Sequence, residues 1–137
     1  MSRHEDRETV FTLLYEYTFY EKTDPMAIAA LREDGEEALS EFVKDLFVGA
    51  VENLAPIDEM IAKYSVGWKV SRMSRVTRSV LRLAVYELLY TDTPPKAVIN
   101  EAVEIAKKYD DSKAPGFING ILNNTARGEG KISDGDK

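Results

Sequence analysis

Hydrophobic residues recur along most of the chain at the spacing of an α-helix rather than of a β-strand. The clearest case runs in alternating steps of three and one: Leu39, Phe42, Val43, Leu46, Phe47, Ala50, Val51 and Leu54. This spacing places the apolar side chains in one stripe along a helix, whereas it would scatter them over both faces of a strand. No alternating segment of useful length and no internal repeat interrupts the pattern. The pattern therefore predicts an all-α fold.

Prolines, glycines and capping residues divide this pattern into about seven helices. The predicted helices begin near residues 5, 25, 39, 56, 76, 95 and 115, and the first extends to about residue 21. The apolar run at residues 76–90 is the longest, and it is predicted to be a buried central helix with Ser71 or Ser74 as its N-cap. Residues 1–127 are predicted to form a single domain, and the glycine-rich polar segment 128–137 a disordered tail.

Composition excludes most catalytic chemistries. The chain has 137 residues, of which 44% are hydrophobic and 31% charged, as expected for one domain with its own core. It has no cysteine and a single histidine, His4 near the N-terminus, so a disulfide, a thiolate metal site and a buried catalytic triad are not expected. No apolar run approaches the roughly 18 residues of a membrane span, and the charged N-terminus is unlike a signal peptide. We expect a cytoplasmic protein without catalytic residues, metal or cofactor.

One pair of carboxylates keeps an enzymatic alternative open. Glu101 and Glu104 lie three residues apart on a predicted helix, a spacing that allows both to approach one metal ion. Because no histidine or matching motif on a facing helix accompanies them, a solvated helix face is the favoured interpretation. A small helical hydrolase is the alternative.

Charge is distributed unevenly. Residues 60–86 carry six basic residues and no acidic one, whereas residues 21–59 carry eleven acidic residues against three basic ones. Four of the basic residues share one predicted helix face because they are spaced by three, three and four: Arg72, Arg75, Arg78 and Arg82. Such a row requires anions nearby, supplied either by an RNA or acidic protein partner or from within the chain. The internal candidates are Glu36, Glu37, Glu41 and Asp45.

Three segments resemble the NusB family of bacterial transcription antitermination factors. They are LRLAVYELLY (residues 81–90), PPKAVINEAVEIAKKY (residues 94–109) and GFINGILN (residues 116–123). Leu14 and Tyr15, with Arg7 upstream, are similar to the family's N-terminal helix. The resemblance covers about residues 3–125, in the family's order and spacing. It implies a fold of two small helical bundles that share one core, and no catalysis.

The resemblance also implies partners. NusB proteins pair with NusE, a small-subunit ribosomal protein, and the pair binds boxA, a short single-stranded RNA element. Together they act on the RNA polymerase elongation complex and promote read-through in ribosomal RNA operons. Single-stranded RNA is typically held by a basic groove and stacking aromatic side chains, which suits a chain without catalytic groups.

Carried over by position, the resemblance implies RNA contacts at Arg3, His4, Arg7, Tyr15, Lys96, Phe117 and Asn119. The N-terminal basic segment is interrupted here by acidic residues, so we expect its electrostatic contribution to be weaker than in members with an uninterrupted run. For Tyr15 and Phe117 the alternative is a place in the core.

The implied NusE contacts fall on Trp68, Arg72, Thr77 and Arg78. Many members carry an acidic residue where this chain has Thr77, and that residue meets the partner, so Thr77 is a departure from the pattern. For Arg82 and Glu87, in the same helix, a structural ion pair is the alternative to a contact.

Two binding-type alternatives also remain open. One is the NusB-like domain of ribosomal RNA methyltransferases, and the other is a purely structural helical adaptor. The sequence leaves open whether the protein is a monomer or a homodimer.

Overall fold

The computed structural model describes residues 2–19 and 39–132, which contain six α-helices, one short 3-10 helix and no strand. The helices are α1 (Arg3–Tyr17), α2 (Glu41–Glu52), α3 (Leu54–Tyr64), α4 (Arg75–Tyr90), α5 (Pro95–Tyr109) and α6 (Ala114–Gly128), with the 3-10 helix at Val70–Arg72 before α4. The prediction of an all-α fold is confirmed. The short helix predicted at Pro25 lies outside the described residues.

Serine side chains begin three of the helices. The hydroxyls of Ser2, Ser40 and Ser74 accept hydrogen bonds from backbone N–H groups in the first turns of α1, α2 and α4, at 3.1, 3.2 and 3.0 Å. These bonds satisfy N–H groups that have no partner within the helix. Ser74 is therefore the cap of the central helix, and Ser71 is not. The predicted bounds of α1 were wrong, since the helix begins at Arg3 and gives way to a turn after Tyr17.

The central position of α4 organises the core. This helix contacts each of the other five α-helices, and Leu81 and Val85 in its middle are completely buried. Phe47 of α2, Ile57 of α3 and Ile118 of α6 are also fully buried in the same apolar cluster. Burial of this area supplies the main stabilisation of the fold.

The neighbours of α4 define two ends of the molecule. Arg7 of α1 pairs with Glu87 near the carboxyl end of α4, whereas Phe19, just after α1, lies against Arg75 at the amino end. Helices α1 and α4 are therefore antiparallel, and α5 runs parallel to α1 because His4 contacts Glu101. With 16 residues in α4, its two ends are about 24 Å apart.

The residues that follow α6, up to Ile132, turn back on the helix. Gly130 adopts a left-handed φ of 73°, and the N–H groups of Lys131 and Ile132 turn back to the carbonyl of Ala126 at 2.7 and 3.3 Å. The Tyr64 hydroxyl donates to Glu129 at 2.5 Å, which ties this segment to α3. These bonds lie at the start of the segment predicted to be a disordered tail, and the tail stays a prediction. Residues 133–137 lie outside the described part of the chain.

Candidate RNA and partner surfaces

Arg7 is committed to an internal ion pair. Its side chain donates to both carboxylate oxygens of Glu87, with N···O distances of 2.8–3.0 Å, and the two residues are only 8% and 2% exposed. The Glu87 hydrogen bonds raise the pKa of the Arg7 guanidinium. The burial of Arg7 and the bonds of its Nε and Nη2 to Glu87 argue against the expected RNA contact at this residue.

Arg3, His4 and Lys96 remain near the surface at the carboxyl end of α4. The side chain of Arg3 is 64% exposed, and its guanidinium lies 3.8 Å from the centre of the Phe42 ring. Lys96 is exposed in the first turn of α5. The structure thus keeps two cations at this end.

His4 lies between two carboxylates. Its Nδ1 is 2.5 Å from Glu101 and its Nε2 is 3.0 Å from Glu8, so the imidazolium form can donate to both. The hydrogen bond to Glu101 is the main cause of a raised His4 pKa, and partial burial opposes it. His4 therefore joins α1 to α5, and its charge is largely balanced by the two acids.

Tyr15 lines an aromatic pocket at the other end of α1. The pocket has a volume of about 210 Å³, and its walls are Phe11, Thr12, Tyr15, Val76 and Tyr109. The rings of Phe11 and Tyr109 are 5.0 Å apart, and Tyr15 meets Phe19 edge to face at 5.4 Å. Tyr15 is half-buried, so it packs against neighbouring rings and also borders an open cavity.

Sequence reasoning missed Tyr109 as a site residue and considered Arg75 only as part of the arginine row. Tyr109 is 43% exposed and supplies one wall of the pocket. Arg75 lies 4.4 Å from the centre of the Phe19 ring, which itself meets Tyr15. Tyr109 ends one of the segments that resemble the family, but only the packing of α5 against α1 brings it to Phe11. Aromatic rings beside an arginine are suited to stacking with bases and holding phosphates.

Phe117 contributes to a groove rather than lying wholly in the core. Its ring meets Trp68 edge to face at 5.7 Å, and the two rings border a groove of about 390 Å³. Phe117 is half-buried and packs against the apolar core with its remaining surface. Asn119 is exposed one half-turn later and accepts a hydrogen bond from the Asn123 amide at 3.2 Å. Phe117 thus has features of a core residue and of a residue that could contact RNA.

The residues expected to meet the partner differ in accessibility. Trp68 is 57% exposed and Arg72 is exposed, and both line the same groove as Phe117. Thr77 is only 8% exposed, and its hydroxyl donates to Asp110, the residue that follows α5, at 2.5 Å. Arg78 is half-buried and donates to the carbonyl of Met73 at 3.1 Å. The groove therefore presents Trp68 and Arg72 most openly.

The predicted row of four arginines does not form one surface. Arg72 belongs to the 3-10 helix and not to α4. Arg82 is 4% exposed and forms a two-pronged pair with Asp58 of α3, with distances of 2.9 and 2.8 Å. Helix α4 packs against α3 on this side, so the neutralising acid is Asp58 rather than Glu41 or Asp45. The other two candidates, Glu36 and Glu37, lie outside the described residues.

Glu101 and Glu104 act as counter-ions in the structure. Glu101 faces His4, and Glu104 accepts a hydrogen bond from Lys107 at 3.4 Å. In residues 2–19 and 39–132 there is no group of three or more His, Cys, Asp or Glu side chains placed to hold a metal ion. Within those same ranges, each helix is too short or too polar to cross a membrane.

Comparison with known sequences identifies the same family throughout. The NusB family profile matches residues 4–127. A protein of Nitratiruptor sp. named "Transcription antitermination protein NusB" is 43% identical over 128 residues, covering 92% of each chain. A protein of the same name from Bacillus cereus is 43% identical over 126 residues, covering 90% of this chain and 96% of its own.

Solved structures show the same fold. NusB of T. maritima superposes with a TM-score of 0.81 at 38% identity and covers 93% of this chain and 92% of its own. A crystal structure described as antitermination factors NusB and NusE in complex with dsRNA contains a chain with a TM-score of 0.76 at 29% identity. The match covers 93% of this chain and 99% of that one. The chain therefore belongs to the NusB family.

Proposed function

We propose that this protein is a transcription antitermination factor that pairs with NusE and binds boxA single-stranded RNA. In this role it acts through the RNA polymerase elongation complex, in the cytoplasm, and promotes read-through in ribosomal RNA operons. The observation that carries the proposal is the likeness, over 93% of the chain, to a chain in a crystal structure of antitermination factors NusB and NusE in complex with dsRNA. It acts by binding, without catalysis, metal or cofactor.

The RNA strand is proposed to cross α1 and α5. At one end Arg3 and Lys96 supply positive charge for phosphates, with His4 beside them held by Glu8 and Glu101. About 16 Å further along α1 the pocket of Tyr15 and Tyr109 offers rings for bases. Stacking on aromatic rings holds unpaired bases whatever their sequence, and cations hold the backbone.

Phe117 and Asn119 extend this surface at the amino end of α4. Phe117 borders the groove with Trp68, and Asn119 is exposed on the same helix, α6. Arg7 has no part in the proposed surface because Glu87 holds it inside.

The NusE surface is proposed to be centred on Trp68 and Arg72. Both are exposed beside a preformed groove, and tryptophan and arginine are enriched among residues that dominate protein–protein binding energy. Thr77 and Arg78 belong to the floor and rim of this region, where their bonds to Asp110 and Met73 hold the start of α4. Because Trp68 also touches Phe117, the partner and RNA surfaces adjoin.

The proposal is tested by titrating a boxA RNA into the full chain with and without NusE. We expect the protein alone to bind weakly, since its N-terminal cations are partly neutralised by acids, and NusE to raise the affinity. Adjoining sites on two paired proteins reduce the entropic cost of holding one flexible strand.

Equal RNA affinity with and without NusE would contradict the proposal of joint binding. A scrambled RNA of the same length and base composition is the control for electrostatic attraction alone. No RNA affinity in either condition would support the structural adaptor instead.

A further inference from the structure

Two stacked tyrosines lie on the side of α4 that faces α2. The rings of Tyr86 and Tyr90 are 5.2 Å apart and inclined by only 21°. Tyr86 is half-buried, whereas Tyr90 keeps 45% of its surface in solvent. The pair therefore reaches from the interface of α2 and α4 to the solvent.

Helix α2 has a glycine at the point where the Tyr86 ring packs against it. A Cβ atom at Gly49, in the last turn of α2, would overlap the ring and hydroxyl of Tyr86. Glycine is unfavourable in a helix interior. Here it leaves the space that the Tyr86 ring fills, at a cost to the helix propensity of α2. The Tyr86 ring therefore lies directly on the backbone of α2, which fixes its orientation.

Two carboxylates of α2 flank the glycine that contacts Tyr86. Asp45 and Glu52 lie one turn before and one turn after Gly49, on the same face of α2, and both are exposed. Together with burial, which is the larger cause, their charges raise the pKa of Tyr86. Neither carboxylate forms an ion pair with any residue in the described ranges.

The surroundings of the pair are acidic as well. Residues 41–62, which span α2 and most of α3, contain five acidic residues and one basic residue, for a net charge of 1 − 5 = −4. Such a surface repels the phosphates of RNA and attracts cations.

We propose that Tyr86, Tyr90, Asp45 and Glu52 form a binding patch for an arginine-bearing segment of a protein partner. A guanidinium lies favourably over a tyrosine ring, and its planar fork of donors fits a carboxylate. The patch combines tyrosine rings and carboxylates, and the backbone of α2 fixes the orientation of the Tyr86 ring. It faces α2 and lies toward the carboxyl end of α4, away from the groove of Trp68 and Arg72. It does not depend on the proposed RNA-binding function.

A peptide of alternating arginine and glycine, titrated into the isotopically labelled full chain at physiological salt, tests the patch. We expect saturable NMR shifts at the Gly49 amide and the Tyr90 ring. Tyr90→Leu should weaken binding about two- to fivefold, as expected for loss of a cation–π contact at a partly exposed site, whereas Tyr90→Phe should bind as the wild type does. The ring and not the hydroxyl is the expected determinant.

A matched pair of charge variants separates the patch from general attraction to an acidic protein. Glu52→Gln should weaken binding of the peptide, whereas Glu59→Gln, which removes an exposed carboxylate elsewhere on the acidic surface, should not. Equal weakening by both variants, or unchanged binding by Tyr90→Leu, would overturn the proposal.

Thermal melts of each variant accompany the titrations and show whether it folds. If Tyr90→Leu folds poorly, the comparison of Glu52→Gln with Glu59→Gln decides the question. The boxA titration should be the same for all of them, so this inference and the proposed function can fail separately.

Discussion

The guanidinium of Arg7 and the carboxylate of Glu87 satisfy one another in a part of the molecule that water scarcely reaches. Two desolvated charges of opposite sign are tolerable only as a pair with good geometry, and removing one of them leaves the other buried without compensation. The pair joins the first turns of α1 to the central helix. Arg7 is therefore a structural residue.

Arg7→Met should lower the free energy of unfolding by about 3–5 kcal/mol, because Glu87 is left buried and unpaired. Urea unfolding of both proteins measures this difference. Arg3→Met is the matched control, since its side chain is 64% exposed and surface changes usually alter stability by about 0.5 kcal/mol or less. An Arg7→Met protein with wild-type stability but lost RNA affinity would show that Arg7 contacts RNA after all.

His4 should make stability depend on pH. Its pKa is raised above the usual 6.5 in the folded state, chiefly by the hydrogen bond to Glu101, so the folded state binds the proton more tightly than the unfolded chain does. The stabilisation is complete below pH 6.5 and is lost as the pH rises through the folded pKa.

Urea midpoints of wild type and His4→Gln, measured from about pH 5.5 to 8.5, test this sign around the histidine pKa. The advantage of the wild type should be greatest at the acidic end and should shrink toward the alkaline end. A constant difference between the two proteins would contradict it.

At the scale of the helices, two of the three glycines of α6 lie in opposite environments. A Cβ at Gly128 would overlap the Tyr64 ring, whose hydroxyl is held by Glu129, whereas a Cβ at Gly120 would meet nothing within 4 Å. One glycine thus permits a close contact between α6 and α3, and the other has no such role inside the molecule.

Gly128→Ala should destabilise the protein by about 1–3 kcal/mol, because the added Cβ overlaps the Tyr64 ring and displaces it from Glu129. Gly120→Ala should stabilise it by roughly 0.5–1 kcal/mol, because alanine restricts the unfolded chain and favours the helix. Thermal melts of the two variants provide the comparison. Equal shifts in the same direction would mean that Tyr64 moves aside without loss.

The whole molecule separates its charges into two regions. Acidic residues dominate α2 and the start of α3, whereas Lys69, Arg72 and Lys113 are exposed around the groove at the amino end of α4. A net charge of −6 therefore conceals a local surface that can meet an anionic partner.

Arg72→Glu should weaken NusE pairing by about tenfold or more, as is common for an arginine at the centre of an interface. Its melting temperature should barely change, because Arg72 is exposed. Calorimetric titration of NusE into each variant measures the pairing. Lys131→Glu is the control, because it makes the same change of charge beyond the far end of α6, and it should pair normally with NusE. Unfolding of Arg72→Glu, or equal weakening by both variants, would show that Arg72 is not a partner contact.

Much of this architecture could be predicted from sequence because its causes are local. The apolar stripe of α2 and the prolines that begin α5 and α6 act within a few residues, so these three helices were predicted close to where they occur. The family resemblance also rests on residues contiguous in the chain, and the matching profile over residues 4–127 confirms it.

Only the tertiary structure decided which charged and aromatic side chains can meet a ligand. Arg7 is withdrawn by Glu87, 80 residues away, and Thr77 is held by Asp110, 33 residues away. Tyr109 becomes part of a pocket because α5 packs beside α1. By itself, the sequence determined the all-α fold, the approximate positions of most helices and the family, because periodicity acts between near neighbours. It offered Ser74 only beside Ser71 as a cap, and it did not identify Ser2 or Ser40. Burial and pairing depend on contacts between distant segments, and these exist only once the helices have packed.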